Sequence, residues 1–162
     1  MDRAASAAEQ WANERPDLDT GPMVLLGRLS EAALVIARDR LNPLFATFGL
    51  QPGEFDVLAT LRRNGPPHAL TPTDLYDALM ISSGSMTNRI DRLESAGLVE
   101  RRPNPTDKRG TLVALTAKGL ALIERAVGEH VANQHDIVSG LKEREQEQLS
   151  ALLAKLLRSQ QP

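Results

Sequence analysis

Cysteine is absent from this sequence. That removes disulfides, thiolate metal sites and thiol redox sensing together. Histidine is scarce, and the three present do not cluster. His130 and His135 stand five apart, about 140° around a helix, so they share no face and a zinc site is not expected. Aromatic residues make up only 3% of the chain, so Leu, Ala, Val and Ile have to fill the core that an apolar content of 41% allows. No apolar run approaches the roughly 18–20 residues needed to span a bilayer. The opening Met-Asp-Arg-Ala also lacks the apolar stretch of a secretory signal. These absences lead to the expectation of a cytoplasmic protein that does not engage a membrane. Paired carboxylates, a nucleophile beside a histidine and metal-ligand spacing are missing as well, so neither an enzyme nor a bound cofactor is expected.

What is present is 162 residues, a length that suits one domain with an added dimerisation element. The net charge of −2 argues weakly against a nucleic-acid partner, but its distribution matters more. Between Ser82 and Gly110 lie six basic residues (Arg89, Arg92, Arg101, Arg102, Lys108, Arg109) and four acidic ones (Asp91, Glu94, Glu100, Asp107). That segment carries +2, leaving −4 for the rest of the total of −2. An acidic body with a locally basic edge orients a protein on DNA and limits non-specific binding.

The periodicity is helical nearly throughout. A short helix is expected over residues 3–14, with Ala4, Ala8 and Trp11 on one stripe, broken by Arg15-Pro16-Asp17. A long helix is expected from about Met23 to Phe48, where Leu26, Leu29, Ala33, Ile36, Arg40, Leu41, Leu44 and Phe48 keep the period, Arg40 the only polar member. Pro43 inside that run predicts a kink or break. A further helix begins at Pro52 and stops at Asn64-Gly-Pro-Pro67. Thr71-Pro-Thr-Asp74 reads as a capping box that opens the next. Ser82-Ser-Gly84 opens a fourth in this series, and Ala96-Gly97 ends it. Leu98–Arg102 and Thr111–Leu115 read as two strands of a hairpin around the turn-rich Pro103–Gly110. Helices over about Thr116–Gly140 and Glu143–Leu157 follow, the last with a stripe of Leu149, Leu152, Leu153, Leu156 and Leu157.

Two short helices followed by a basic hairpin is the pattern of a winged helix-turn-helix. At 100° per residue, Met86, Ile90, Leu93 and Gly97 share the core face of the helix before the hairpin, and Gly84, Asn88, Asp91, Arg92 and Ser95 lie opposite. Ser83, Ser85 and Thr87 stand near its N-terminus. Small hydroxyls, an amide and an arginine suit entry into a major groove, where they reach base edges and phosphates. The positive end of the helix also favours phosphate. A plainly solvated polar face fits this helix alone equally well. The hairpin tips the balance: Lys108-Arg109-Gly110 sits at its tip, where a long cation reaches a minor groove. Asp107 is placed to fix the loop, and Pro103 and Pro105 stiffen it.

The run Ser83-Gly-Ser-Met-Thr-Asn-Arg-Ile-Asp-Arg-Leu-Glu-Ser-Ala-Gly-Leu-Val-Glu-Arg101, then Asp107-Lys-Arg-Gly110 and Leu115-Thr-Ala-Lys-Gly119, closely resembles the MarR family of bacterial regulators. The resemblance covers roughly residues 20–158. It implies a mainly α fold with a small β-hairpin, a winged helix-turn-helix flanked by N- and C-terminal dimerisation helices. On that reading residues 1–48 hold the extra helix and the first dimerisation helix, 49–115 the DNA-binding domain, and 116–162 the C-terminal dimerisation helices. It also implies a homodimer on a palindromic double-stranded operator, contacted by Ser83, Ser85, Thr87, Asn88, Arg92, Lys108 and Arg109, with Asp107 shaping the wing.

A narrower resemblance is to the urate-responsive branch of that family, the PecS and HucR relatives. The residues that carry it are the extra N-terminal helix with Trp11, Gly53-Glu-Phe-Asp-Val-Leu-Ala-Thr-Leu-Arg-Arg-Asn64 and Met86-Thr-Asn-Arg-Ile-Asp91. It implies a ligand site made of Trp11, Asp56, Asn64 and Arg89. The residues themselves go part of the way. Arg89 lies about 60° from the centre of the core face of its helix, so it can turn inward, and an inward arginine needs an anion. Asp56 supplies one, either as a structural ion pair or as the group that a ligand displaces. Trp11 reads either as a ligand contact or as an anchor for the N-terminal helix. The function expected is a repressor that releases its operator on binding a small aromatic anion such as urate. The alternatives are a winged-helix protein without ligand response, or one that answers to a different phenolic or purine ligand.

Overall fold

The computed structural model describes residues 2–79, 86–107 and 110–160. The chain forms two compact units, residues 1–43 and 44–162. Among the described residues no helix is long and apolar enough to cross a membrane.

In the first unit, α1 (Arg3–Glu14) starts at Asp2, whose carboxylate accepts the Ala5 N–H at 2.8 Å and so meets one of the orphan donors of the first turn. The other oxygen of Asp2 accepts from Arg28 Nε at 2.8 Å, tying α1 to α2 (Gly21–Ile36). The two helices approach closely at Gly27, where a Cβ would sit 2.8 Å from that of Ala4. No residue of α2 is buried, and Leu25, Leu26 and Leu34 are well exposed. The kink expected at Pro43 takes a definite form. Ahead of α3 (Asn42–Thr47), residues Ala37–Leu41 make one wide π turn, in which the Asn42 N–H reaches back to Ala37 O. A proline in a regular helix drives its ring into the carbonyl four residues earlier, and widening the preceding turn relieves that clash. The single run expected over 23–48 is therefore three segments.

The second unit is a helical body with a small sheet. Its elements are α4 (Glu54–Arg63), β1 (Ala69–Leu70), α5 (Pro72–Ala78), α6 (Met86–Ser95), β2 (Val99–Pro103), β3 (Thr111–Leu115), α7 (Ala117–Val138) and α8 (Glu143–Arg158). Strands β2 and β3 form the expected hairpin, from Val99 opposite Leu115 to Pro103 opposite Thr111. A third strand, β1, pairs antiparallel with the other edge of β3, giving the order β1-β3-β2. Two residues carry too little pattern to be recognised as a strand. Val57, Leu58, Leu61, Leu75, Leu93, Val99, Val113 and Ile123 are fully buried, so α4, α5, α6, α7 and the hairpin share one core.

The start of α7 is locked to the corner between α6 and β2. Thr116 caps the helix by accepting the Gly119 N–H at 3.0 Å, while its own hydroxyl donates to Gly97 O at 2.7 Å. Gly119 lies so close to this corner that a Cβ would stand 1.9 Å from Leu98 O and 2.9 Å from Leu98 C. Gly119→Ala must push backbone from backbone, unlike an overpacked side chain that can change rotamer. The expected cost is about 3 kcal/mol, seen as a melting temperature lower by about 6–12 °C. An unchanged melting curve would mean that α7 is free to move off the corner.

Candidate nucleic-acid interface and ligand pocket

Helix α6 presents the faces that its angular pattern predicts, except that Gly97, expected on the core face, lies beyond the helix and is exposed. Ile90 and Leu93 are buried and Met86 is half-buried, while Thr87, Asn88, Asp91, Arg92 and Ser95 are exposed. Ser83 and Ser85 lie outside the described residues, as do Lys108 and Arg109. The base of the hairpin loop is closed by Asn104, whose N–H donates to Gly110 O at 3.0 Å and whose side chain accepts from Thr106 N at 3.0 Å. Asp107 contributes its backbone carbonyl, which accepts the Gly110 N–H at 2.9 Å.

Among the described residues, three of the six basic residues of the edge, Arg92, Arg101 and Arg102, are matched by carboxylates of the same chain. Arg101, in β2, bonds Asp91 and Glu94 of α6, which fastens the hairpin to the helix and holds the guanidinium pKa above its ordinary value, the Asp91 hydrogen bond first among the causes. Arg102 bonds Glu100 beside it. Arg92 donates from Nε at 2.9 Å and Nη2 at 2.7 Å to Glu54 Oε1, and from Nη1 to the Gln51 side chain. Glu54 is only 4% exposed, and its second oxygen accepts the Gln51 N–H at 2.6 Å. A buried carboxylate needs such partners. Arg92, expected at the DNA, thus also holds α6 against the start of α4.

One turn earlier, Arg89 comes to the same corner. Gly53 precedes α4 with φ +82°, a left-handed conformation that favours glycine. A Cβ there would stand 2.5 Å from Cζ of Arg89. The partly buried guanidinium therefore lies over the Gly53 backbone. Asp56, in the first turn of α4, is within electrostatic range of it. Among the described residues no ion pair joins the two, although Arg89 and Asp56 were expected as a pair. Burial pushes the Asp56 carboxyl above its ordinary pKa, against the opposing pull of His130, Arg89 and Arg63.

The neighbour that the sequence did not single out is His130. Its ring packs at 4.7 Å from Phe55 and 5.4 Å from Phe45, and those two phenylalanines stack at 4.3 Å with 11° between their planes. Burial holds the His130 pKa below its usual value, with Asp56 pulling the other way. The available signal was the stripe Ile123, Ala126, His130 on α7. Seven residues return a helix to within about 20° of the same direction, and Ile123 is fully buried.

Asn64, also expected at the ligand, is not gathered here. Asn64 caps the far end of α4, eight residues from Asp56 and so about 12 Å along the axis; its amide reaches Ala69 O at 3.5 Å. Trp11 belongs to the first unit, is 46% exposed, and lines a shallow cavity of about 270 Å³ with Gln10 and Glu14. No group of three acids or histidines able to hold a metal occurs among the described residues.

Comparison with known proteins adds a consistent picture. The MarR family profile matches residues 48–110. The chain is 47% identical over 148 residues, 91% of its length and 89% of the other's, to the HTH-type transcriptional regulator PecS of Dickeya dadantii. It is 33% identical over 138 residues, 83% of its length and 92% of the other's, to the multiple antibiotic resistance protein MarR of Escherichia coli K12. Among solved structures it is similar to the MarR family regulator Sco3205 of Streptomyces coelicolor in complex with DNA, with a TM-score of 0.77, 25% identity and coverage of 90% and 91% of the two chains. It is also similar to a MarR mutant from E. coli complexed with operator DNA, with a TM-score of 0.69, 32% identity and coverage of 91% and 97%.

Proposed function

The chain belongs to the MarR family of transcriptional regulators, and from that membership we propose that it is a cytoplasmic homodimeric repressor that releases a palindromic operator when a small aromatic anion, urate in the first instance, enters beside Arg89. The observation that carries the proposal is the placement of Arg89. It is on the recognition helix, partly buried over Gly53, with Asp56 in electrostatic range and no direct ion pair between them. An anion that enters beside the guanidinium takes the charge that Asp56 now shares. Asp56, already penalised by burial, is left facing a second negative group and moves. Arg89 and Arg92 both anchor α6 on the corner Gln51–Glu54, so a shift at Arg89 is passed to the helix that enters the groove. A coupling of about 1–3 kcal/mol is enough. The two half-sites would lie on one face of the DNA, about one helical turn apart.

The relatives solved with DNA support the nucleic-acid part of this reading. Ser83, Ser85, Thr87 and Asn88 are proposed at the major groove, and Lys108 and Arg109 at the minor groove. Arg109→Ala removes one cation from the tip of the wing. Operator affinity is expected to fall, and the slope of log K against log salt to flatten by about one unit. An affinity and slope equal to the parent would show that the wing does not touch DNA.

The test of the whole reading is a titration of urate against a preformed protein–operator complex. DNA is expected to be released, and emission from Trp11, the one tryptophan, to be quenched in parallel. Retention of DNA at millimolar urate with unchanged emission would refute the urate assignment and leave the DNA-binding assignment standing.

A further inference from the structure

We infer that His130 is a further ligand-binding residue, whose Nδ1 bonds the polar ring edge of a bicyclic heteroaromatic anion and so selects an oxopurine over a simple aromatic carboxylate. This rests on the reading of Arg89 as the anion-binding group.

The position is partly buried. His130 continues the inner stripe of α7, and its ring completes a three-ring cluster with Phe45 and Phe55. A leucine or phenylalanine would fill that space without a polar atom. The imidazole instead brings Nδ1, which is buried and has no hydrogen-bond partner among the described residues. Buried polar atoms are nearly always satisfied, so a specific exception calls for a missing partner. Burial keeps the imidazole below its usual pKa, and a neutral imidazole carries one N–H and one lone pair, so it can meet either a lactam N–H or a carbonyl.

Three helices contribute to one locus. Asp56 of α4 lies in electrostatic range of both Arg89 of α6 and His130 of α7. Arg89 offers charge, and His130 a polar atom that no described residue uses. A planar anion with nitrogen and carbonyl groups along its ring edge can use both. A benzoate has only its carboxylate, which Arg89 satisfies, and nothing with which to meet Nδ1.

Isothermal titration of the full-length protein with urate and with benzoate tests this, using His130→Phe, which keeps the ring packing and deletes Nδ1, and His130→Asn, which puts an amide near the place of Nδ1. The loss of one hydrogen bond predicts urate binding about tenfold weaker in His130→Phe. Benzoate binding stays within about twofold of the parent, and His130→Asn regains most of the urate affinity. Operator binding without ligand is expected to be unchanged in both, which reports that they fold. Should His130→Phe fail to fold, His130→Gln, whose amide falls near the place of Nε2, provides the same contrast with His130→Asn. Parental urate affinity in the variants that lack a group at Nδ1, or equal weakening for urate and benzoate, would overturn the assignment and leave His130 a packing residue. A parent that takes up no urate would instead refute the ligand reading on which it rests.

Discussion

Deletion of Glu143–Pro162 is expected to abolish the proposed dimer and to lower operator affinity by two orders of magnitude or more. Helix α8 contributes no buried residue, yet Leu152 is 65% and Leu157 68% exposed, with Leu149 beside them and Val127 and Val131 exposed on α7. Burying each large aliphatic side chain contributes about 1.5–3 kcal/mol, so covering this stripe and its copy is a large driving force for self-association. Two DNA-binding units held together gain roughly 10²–10⁴ in avidity over one, which sets the size of the loss. Sedimentation equilibrium and operator titration measure both effects. Leu152→Glu is the gentler form of the test. It keeps the helix and puts a charge in the stripe, and it should give a folded protein with a much weakened dimer. A truncated chain that folds as a soluble monomer and binds the operator as tightly as the parent would remove α8 from the interface.

The second large effect is loss of the ligand response in Arg89→Ala. Couplings of about 1–3 kcal/mol correspond to changes of roughly 5–150-fold in operator affinity, and the whole of that change is expected to vanish with the guanidinium. Operator affinity without ligand should fall as well, because α6 loses one of its two arginine anchors on the corner before α4. Asp56→Asn keeps the shape and removes the competing charge, so operator binding should survive while the response to urate is blunted. Trp11→Phe should weaken urate binding if Trp11 takes part in the site. Asp56 and Arg89 lie in each other's field, so the double substitution should depart from the sum of the singles. Full additivity, or urate-driven release by Arg89→Ala equal to the parent, would mean that the two residues do not form one switch. The Glu54 carboxylate is buried on Arg92, and substitutions there test the anchoring of the helix through Arg92.

The local devices of this chain are legible in its sequence. Thr71 accepts the Asp74 N–H at 3.1 Å at the start of α5, as the capping pattern implies. The hairpin follows from two short strand-like segments on either side of a proline- and glycine-marked turn. The faces of α6 follow from its angular period, and even the inward lean of Arg89 is visible at 100° per residue. Each of these depends on neighbours within a few positions, where spacing and backbone preference settle the outcome.

The tertiary structure alone decided what those groups meet. Six basic residues between Ser82 and Gly110 look like one binding surface, but Arg92 and Arg101 are engaged by Glu54, Asp91 and Glu94. The Arg92–Glu54 pair spans 38 positions, and no period connects residues that far apart. His130 shares no helical face with His135, and its place on the stripe with Ile123 and Ala126 says only that it turns inward. Its partners, Phe45, Phe55 and Asp56, come from segments more than 70 positions away. Helical periodicity says which side of a helix turns inward. Which side chains of other helices wait there is set by how the core closes, and in this protein that closure brings Asp56, Arg89 and His130 into one electrostatic environment.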